Sequence, residues 1–235
     1  MHEKIMHDRS AFVTLTYDDK HLPPGGTLKK QELQLFMKRL RKRRPAGIRF
    51  FAAGEYGELT ARPHYHLLLL NTDFPDMRFY KPARSGDDLY TSKELEELWP
   101  FGHSDIGNVT FNSCAYVARY VVKKITGDKA AAHYAGRDPE FVLMSRRPGI
   151  GLTWYIAHGR DAYRHDTTIC NGKEQNLPRY YDGKYEAFNP KRLAQLKSLR
   201  KRRALLQKHD NNSRRRYVKE MVATAKLNLR KRSEQ

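Results

Sequence analysis

RPHYHLLLLN, Arg62 to Asn71, sets two histidines one residue apart at the mouth of a run of four leucines. An apolar run of this length, bounded by a proline and an asparagine, reads as a buried β-strand. Successive side chains of a strand point to opposite faces, so His64 and His66 share one face and Tyr65 takes the other. Two imidazoles held that way both reach one divalent ion. A third ligand is expected from IRFFAAGEYG (Ile48 to Gly57), which ELTARP separates from the histidine strand and which reads as its hairpin partner. Glu55 stands where that strand ends, with Glu58 in reserve. Two imidazoles and one carboxylate leave positions for substrate oxygens, as Lewis-acid catalysis on a phosphate requires, and such donors suit Mg²⁺ or Mn²⁺. Taken alone, a His-x-His pair is more often an ordinary surface pair, because metal selection needs more than two ligands.

Outward from this hairpin the first half of the chain alternates strand-like and helix-like segments. AFVTLTYDD (Ala11 to Asp19) is β-branched and alternating, and HLPPGG ends it. LKKQELQLFMKRLRKR (Leu28 to Arg43) spaces Leu33, Phe36, Met37 and Leu40 at helical period, with Thr27 as N-cap and Pro45 as stop. TSKELEELWP (Thr91 to Pro100) predicts a short helix capped by Ser92, GHSDIGNVTF (Gly102 to Phe111) a strand, and NSCAYVARYVVKKITG (Asn112 to Gly127) a helix opened by Asn112 or Ser113 and closed by Gly127. The order βαββαβα predicts an α+β fold, a ferredoxin or RRM-like antiparallel sheet with helices packed on it. A further helix is expected around Leu152 to His158, followed by an irregular, turn-rich connection over 161–190.

In the helix from Asn112 to Gly127, Tyr116 and Tyr120 lie one turn apart on a single face, with Lys123 and Lys124 close beyond. A tyrosine oxygen attacks a phosphodiester to form a covalent phosphotyrosine link, which conserves bond energy for resealing. A phenol ordinarily titrates near 10, so a metal or a lysine has to favour the phenolate. Aromatic residues at helical spacing are otherwise core, alongside Val117, Val121 and Ile125.

Charge points to the partner. Forty-five Lys and Arg against 26 Asp and Glu leave a net +19 on 235 residues. A pI of about 9.9 calls for a polyanion, nucleic acid first and an acidic membrane surface second. Residues 191–235 hold 16 Lys and Arg against three Asp and Glu, so +13 of the excess sits in the tail. Leu193, Leu196, Leu199, Leu206, Val218, Met221 and Val222 recur there at near-helical spacing, predicting basic helical segments broken at HDNNS. Cys114 and Cys170 are the two cysteines, too few for a disulfide framework or a four-cysteine zinc site, so a reducing cytosol fits. No apolar run approaches the roughly 20 residues that span a bilayer, so no membrane association is expected.

FVTLTYDD, RPHYHLLLL and AYVARYVVKK, in this order and spacing, resemble the three motifs of the HUH rolling-circle replication initiators. The likeness is strongest to those of small single-stranded DNA phages, the microviruses and among them the gokushovirus branch. SRRPGIG (Ser145 to Gly151) resembles a segment that follows the third motif in that branch. The resemblance covers about residues 3 to 158, and the YxxxYxxK form is its most specific element. It implies a HUH endonuclease domain over 1–160, joined through 161–190 to a basic helical DNA-binding tail over 191–235. It also implies a site-specific nickase that starts and ends rolling-circle replication in the cytoplasm of a bacterial host. On that reading His64, His66 and Glu55 bind Mg²⁺ or Mn²⁺, and Tyr116 or Tyr120 attacks a phosphate of the origin strand. Lys123 assists, and host polymerase and helicase extend the freed end. The third ligand is the least fixed part of the family pattern, leaving Glu58 or a residue near Asp18 in play. Relatives often carry residues ahead of the segment matching Met1 to Asp8, so origin contacts made there are expected to be absent.

For DNA binding the candidates are Arg39, Arg41, Lys42 and Arg43, with Arg44, at the end of the first helix, and Lys124 after the tyrosine helix. In the tail they are Arg200, Lys201, Arg202 and Arg203, then Arg214, Arg215 and Arg216, where a cationic excess holds phosphates through counterion release. Tyr180, Tyr181 and Tyr185 are candidates for stacking on bases or for packing. The alternatives are an RRM-like module that grips single-stranded nucleic acid without chemistry, or a transposase with the same catalytic plan.

Overall fold

The leucine run after His66 is buried because it lies between two layers. Tyr65, Leu67 and Leu69 enter a core that also holds Leu33, Phe36, Met37 and Leu40. Leu68 and Leu70 enter a second, smaller core with Ala53, Val109 and Val117. Alternation along one strand therefore feeds two helical layers, and both parities have to be apolar.

The computed structural model describes residues 1–57, 60–83 and 86–231, with backbone alone for 120–123 and 227–231. The strands of the main sheet are β1 (Ser10–Thr16), β2 (Arg49–Tyr56), β3 (Pro63–Leu70), β4 (Arg78–Pro82), β5 (Asp88–Thr91), β6 (Ser104–Gly107) and β7 (Phe141–Met144). They pair antiparallel in the order β4-β5-β6-β1-β3-β2-β7. The four expected strands form its middle, β6-β1-β3-β2, in the ferredoxin-type arrangement. The fold is α+β, as the segment order predicts.

On one face α1 (Lys30–Lys42) buries Leu33, Phe36, Met37 and Leu40, each side chain contributing about 1.5–3 kcal/mol of transfer free energy. Its start differs from expectation: the N-cap is Lys29, with no side-chain cap. Thr27 instead turns its hydroxyl to the Asp138 backbone N–H, 2.8 Å away. Tyr65 does the anchoring, since its hydroxyl accepts from the Lys29 N–H at 2.9 Å and stands 2.7 Å from the Tyr17 hydroxyl. Burial pushes the Tyr65 phenol up to about 12, so it stays protonated. The residue between the two histidines thus ties the sheet to α1.

The other face carries α3 (Phe111–Lys123). Its N-cap is Thr110, in a reciprocal capping box with Ser113, in place of the expected Asn112 or Ser113. The helix ends at Lys123, with Lys124 extended (ψ 119°), four residues before the expected stop at Gly127. The short helices α2 (Lys93–Leu98) and α4 (Lys129–Tyr134) complete this unit, and Ser92 caps α2 by accepting from the Leu95 N–H.

The chain divides into two compact units, the second running from Trp154 to the C-terminus with a few residues near Gly86. Taken by itself, the second unit holds α5 (Leu152–His165, most of it), the hairpin β8 (Thr167–Cys170) and β9 (Lys173–Asn176), α6 (Arg179–Phe188), α7 (Pro190–Leu206) and α8 (Ser213–Lys231). The stretch 161–190, expected to be irregular, is therefore mostly ordered. Its hairpin turns at Asn171-Gly172, both at positive φ, a strong two-residue turn signal hidden by the polar sequence around it. Tyr181 and Tyr185 are core residues here: Tyr185 stacks on Tyr163 at 3.9 Å and Tyr181 on Trp154 at 5.4 Å. Of the three tyrosines considered for base stacking, Tyr180 is the exposed one. The break at HDNNS is real, a single turn at Lys208–Asn211 between α7 and α8.

Candidate metal and nucleophile site

Register builds the site. In the β2–β3 hairpin Glu55 lies opposite His64 and Ala53 opposite His66, while across the other edge of β3 Thr16 and Thr14 face the same histidines. All of these side chains emerge on the α3 face. Glu55 Oε1 is 2.8 Å from His64 Nε2 and 3.2 Å from His66 Nε2. One ligand atom from each of the three lies within 4.8 Å of the others, the spacing one cation needs. Glu55 is 3% exposed and His66 6%, so the cluster is shielded. Burial works to raise the Glu55 pKa, but hydrogen bonds and charge from His64 and His66 outweigh it and hold the carboxyl well below the usual range.

The second nitrogens are also engaged, which fixes the tautomers for ligation. His64 Nδ1–H donates to the Arg62 carbonyl at 3.1 Å. His66 Nδ1 meets the Thr14 hydroxyl at 3.3 Å, and Thr14 in turn hydrogen-bonds the Asp105 carboxylate opposite it on β6. Both Nε2 atoms are thereby turned to Glu55. Donor chemistry, spacing and outer hydrogen bonds together fit a divalent metal held by Glu55, His64 and His66.

Tyr116 on α3 closes the site. Its hydroxyl is 3.4 Å from His66 Nε2, and its ring packs edge-on to His66 with centroids 5.1 Å apart. Phe12 of β1 stacks on His66 at 5.6 Å and meets Tyr116 edge-on at 6.4 Å, holding both rings. The Arg119 guanidinium lies 5.5 Å from the Tyr116 ring centroid. The side chains of Tyr120 and Lys123, and all of Glu58, lie outside the described residues. Asp18 is turned to His21, 2.8 Å away, and does not join the cluster. Sequence reading missed Phe12, Thr14, Asp105 and Arg119. The first three carry no spacing signal, being brought in only by β1 and β6 pairing, and Arg119 is one cation among many.

The expected DNA-binding cations divide into committed and open ones. Arg39 donates twice to the Leu98 carbonyl, Arg43 pairs with Glu97 at 2.7 Å, and Arg44 forms a forked pair with Glu94. Arg200 is the clearest departure from expectation: its guanidinium bridges Asp166 at 2.5 Å and Asp182 at 2.7 Å, a structural tie inside the second unit. Arg215 pairs with Asp210. Arg41, Lys42, Lys124, Lys201, Arg202, Arg203, Arg214 and Arg216 are exposed.

Among the described residues no helix is long and apolar enough to cross a membrane. A family model described as Replication-associated protein ORF2 matches residues 10–125, the span that runs from β1 past α3. The chain is 32% identical over 203 residues to Replication-associated protein VP4 of Bdellovibrio phage phiMH2K, covering 81% of this chain and 62% of that protein. It is 32% identical over 188 residues to Replication-associated protein ORF2 of Spiroplasma virus 4, covering 74% and 57%. With Replication-associated protein ORF4 of Chlamydia phage 1 the identity is 29% over 188 residues, covering 76% and 46%. The chain thus spans between 46% and 62% of the length of these relatives. No solved structure matches. The matched span contains every element of the His64, His66, Glu55 and Tyr116 constellation, and the chain belongs to the ORF2-type replication-associated protein family of small phages.

Proposed function

We propose that the protein nicks and rejoins single-stranded DNA at a replication origin, initiating and terminating rolling-circle replication of a small phage genome in the bacterial cytoplasm. One observation carries this reading: the Tyr116 hydroxyl stands 3.4 Å from His66 Nε2, at the edge of a buried two-histidine, one-carboxylate cluster. Glu55, His64 and His66 hold Mg²⁺ or Mn²⁺, which when bound supplies Lewis-acid polarisation of the scissile phosphate. The Tyr116 oxygen attacks phosphorus, the bond to the 3′ oxygen breaks, and that oxygen takes up a proton and leaves as a free 3′ hydroxyl. The 5′ phosphate stays on Tyr116 as a diester, and the phenol proton passes to solvent. Arg119, beside the phenol ring, offsets phosphate charge. Resealing reverses the step, with a 3′ hydroxyl attacking the phosphotyrosine. Tyr120 is the second nucleophile of the pair and Lys123 its cationic partner, and the freed 3′ end primes host polymerase with a host helicase.

Origin recognition draws on the exposed cations of α1, α7 and α8. Arg214, Arg215 and Arg216 sit in the first turn of α8, at the positive end of the helix dipole, where they oppose helix stability. A phosphate partner accounts for cations kept at that end.

The test is a covalent adduct assay with single-stranded DNA spanning the phage origin and Mn²⁺. Wild type is expected to give a denaturation-resistant protein–DNA adduct, lost in His64→Ala with DNA binding retained. A Tyr116→Phe, Tyr120→Phe double variant that still forms adduct overturns the proposal.

A further inference from the structure

We propose that the cleft between α1 and the turn Ser145–Pro148, on the sheet face away from His64 and His66, is a second binding track for the sugar-phosphate backbone of single-stranded DNA. The cleft has a volume of about 1450 Å³. One wall is α1, presenting Lys30 and Arg41, and the other is the turn, presenting Arg146 and Arg147. All four are exposed, and among the described residues none of them makes an ion pair. Glu3 is the one carboxylate lining the cleft, and it is spent on Arg49 at 3.1 Å and His7 at 3.4 Å. The floor is apolar, with Met37, Phe50 and Leu143 from the α1-side core, and the Arg41 guanidinium lies 5.3 Å from the Phe50 ring centroid.

The turn is built rather than loose. Ser145 exchanges two bonds with Phe50, its Oγ accepting from the Phe50 N–H at 3.1 Å and its N–H donating to the Phe50 carbonyl at 3.0 Å. Arg49 donates to the Pro148 carbonyl. Just beyond, buried Glu3 accepts from the Gly151 N–H at 2.5 Å and the Thr153 hydroxyl at 3.1 Å. This scaffold uses neither Arg146 nor Arg147, yet it holds both against the cleft, where mutual repulsion costs stability unless an anion sits between the walls. Cations on two walls of a space far larger than one phosphate, over an apolar and aromatic floor, suit a chain of phosphates with unpaired bases. The cleft lies beside β7, the last strand of the sheet, so a strand held here continues around that edge toward Tyr116.

The inference takes from the proposed function only that the ligand is DNA. Its test measures fluorescence anisotropy of the full chain with oligothymidylates of about 8 and about 30 nucleotides over a series of salt concentrations. Two variants are compared with wild type, Arg146→Glu with Arg147→Glu on the turn, and Lys30→Glu with Arg41→Glu on the helix. Each is expected to weaken binding of the long oligonucleotide about tenfold or more and to flatten its log–log salt dependence by about 1.4, two phosphate contacts on a single strand. Each is also expected to leave the yield of adduct on a saturating short origin oligonucleotide unchanged. The helix pair carries the test should the turn pair melt at a lower temperature. Unchanged affinity for the long oligonucleotide in a folded variant overturns the track. Absence of adduct in wild type overturns the nicking function and leaves the anisotropy result standing on its own.

Discussion

Thr14 shows how much a single hydroxyl can govern. With His66 Nε2 turned to Glu55, Nδ1 carries the hydrogen and donates to Thr14 Oγ1, whose own hydrogen goes to Asp105. Burial raises the Asp105 pKa, and the Thr14 hydrogen bond with the charges of His103 and Lys81 works against it. Thr14→Val keeps the shape and removes the link. Losing an outer partner of a ligating histidine typically weakens metal binding about 10–100-fold. Calorimetric titration with Mn²⁺ is expected to show that loss with an unchanged far-ultraviolet circular dichroism spectrum; equal affinity in the variant would mean the relay is idle. His64 and His66 were legible as a pair because strand alternation is a two-residue rule. Thr14 and Asp105 were not, being 52 and 39 positions from His66 in the chain.

At the scale of elements, α3 is the part whose position matters most, since it carries Tyr116 to the imidazoles. Its first turn is held by the Thr110–Ser113 capping box, with the Ser113 N–H donating to Thr110 Oγ1 at 3.2 Å and the Thr110 N–H to Ser113 Oγ at 2.8 Å. Thr110→Ala is expected to cost about 1 kcal/mol in urea denaturation. It is also expected to slow adduct formation in single-turnover kinetics while Mn²⁺ affinity stays at the wild-type value, because the ligands sit on β2 and β3. A matching fall in metal affinity would show that the helix end supports the sheet as well. The strands read correctly are those with strong apolar pattern. β4 was missed because every residue in it is exposed, and β7 because four residues carry no usable period. Pairing with β5 and β2 makes them strands, and pairing is a property of the neighbours.

For the whole molecule, charge is divided between holding the chain together and meeting a partner. Arg200 belongs to the first group, with Asp182 also accepting from the Tyr163 hydroxyl at 2.7 Å. Arg200→Met leaves two carboxylates without their cation and is expected to destabilise the protein by about 3 kcal/mol. Burial works to raise the Asp182 pKa, and its bonds to Arg200 and Tyr163 win, so the native value is below 3.8. A lowered native pKa means stability that is present above the unfolded carboxylate pKa and lost as pH falls through the native value. Denaturation midpoints from about pH 7 to about pH 3 should therefore drop for wild type at the acid end and drop less for Arg200→Met. Parallel curves would remove the pair from any account of acid stability.

The net charge, the antiparallel α+β plan, the shared face of His64 and His66 and the shared turn of Tyr116 and Tyr120 were all present in the linear chain. Each rests on composition or on a period of two or 3.6 residues, and such rules act between near neighbours. Strand pairing alone decided that Glu55 meets both histidines, that Thr14 and Asp105 stand behind them, and that Phe12 wedges Tyr116 against His66. Folding likewise decided which cations face solvent and which, like Arg200, are spent inside. Register and ion pairing join residues dozens of positions apart, and their free energy depends on what the rest of the chain brings alongside.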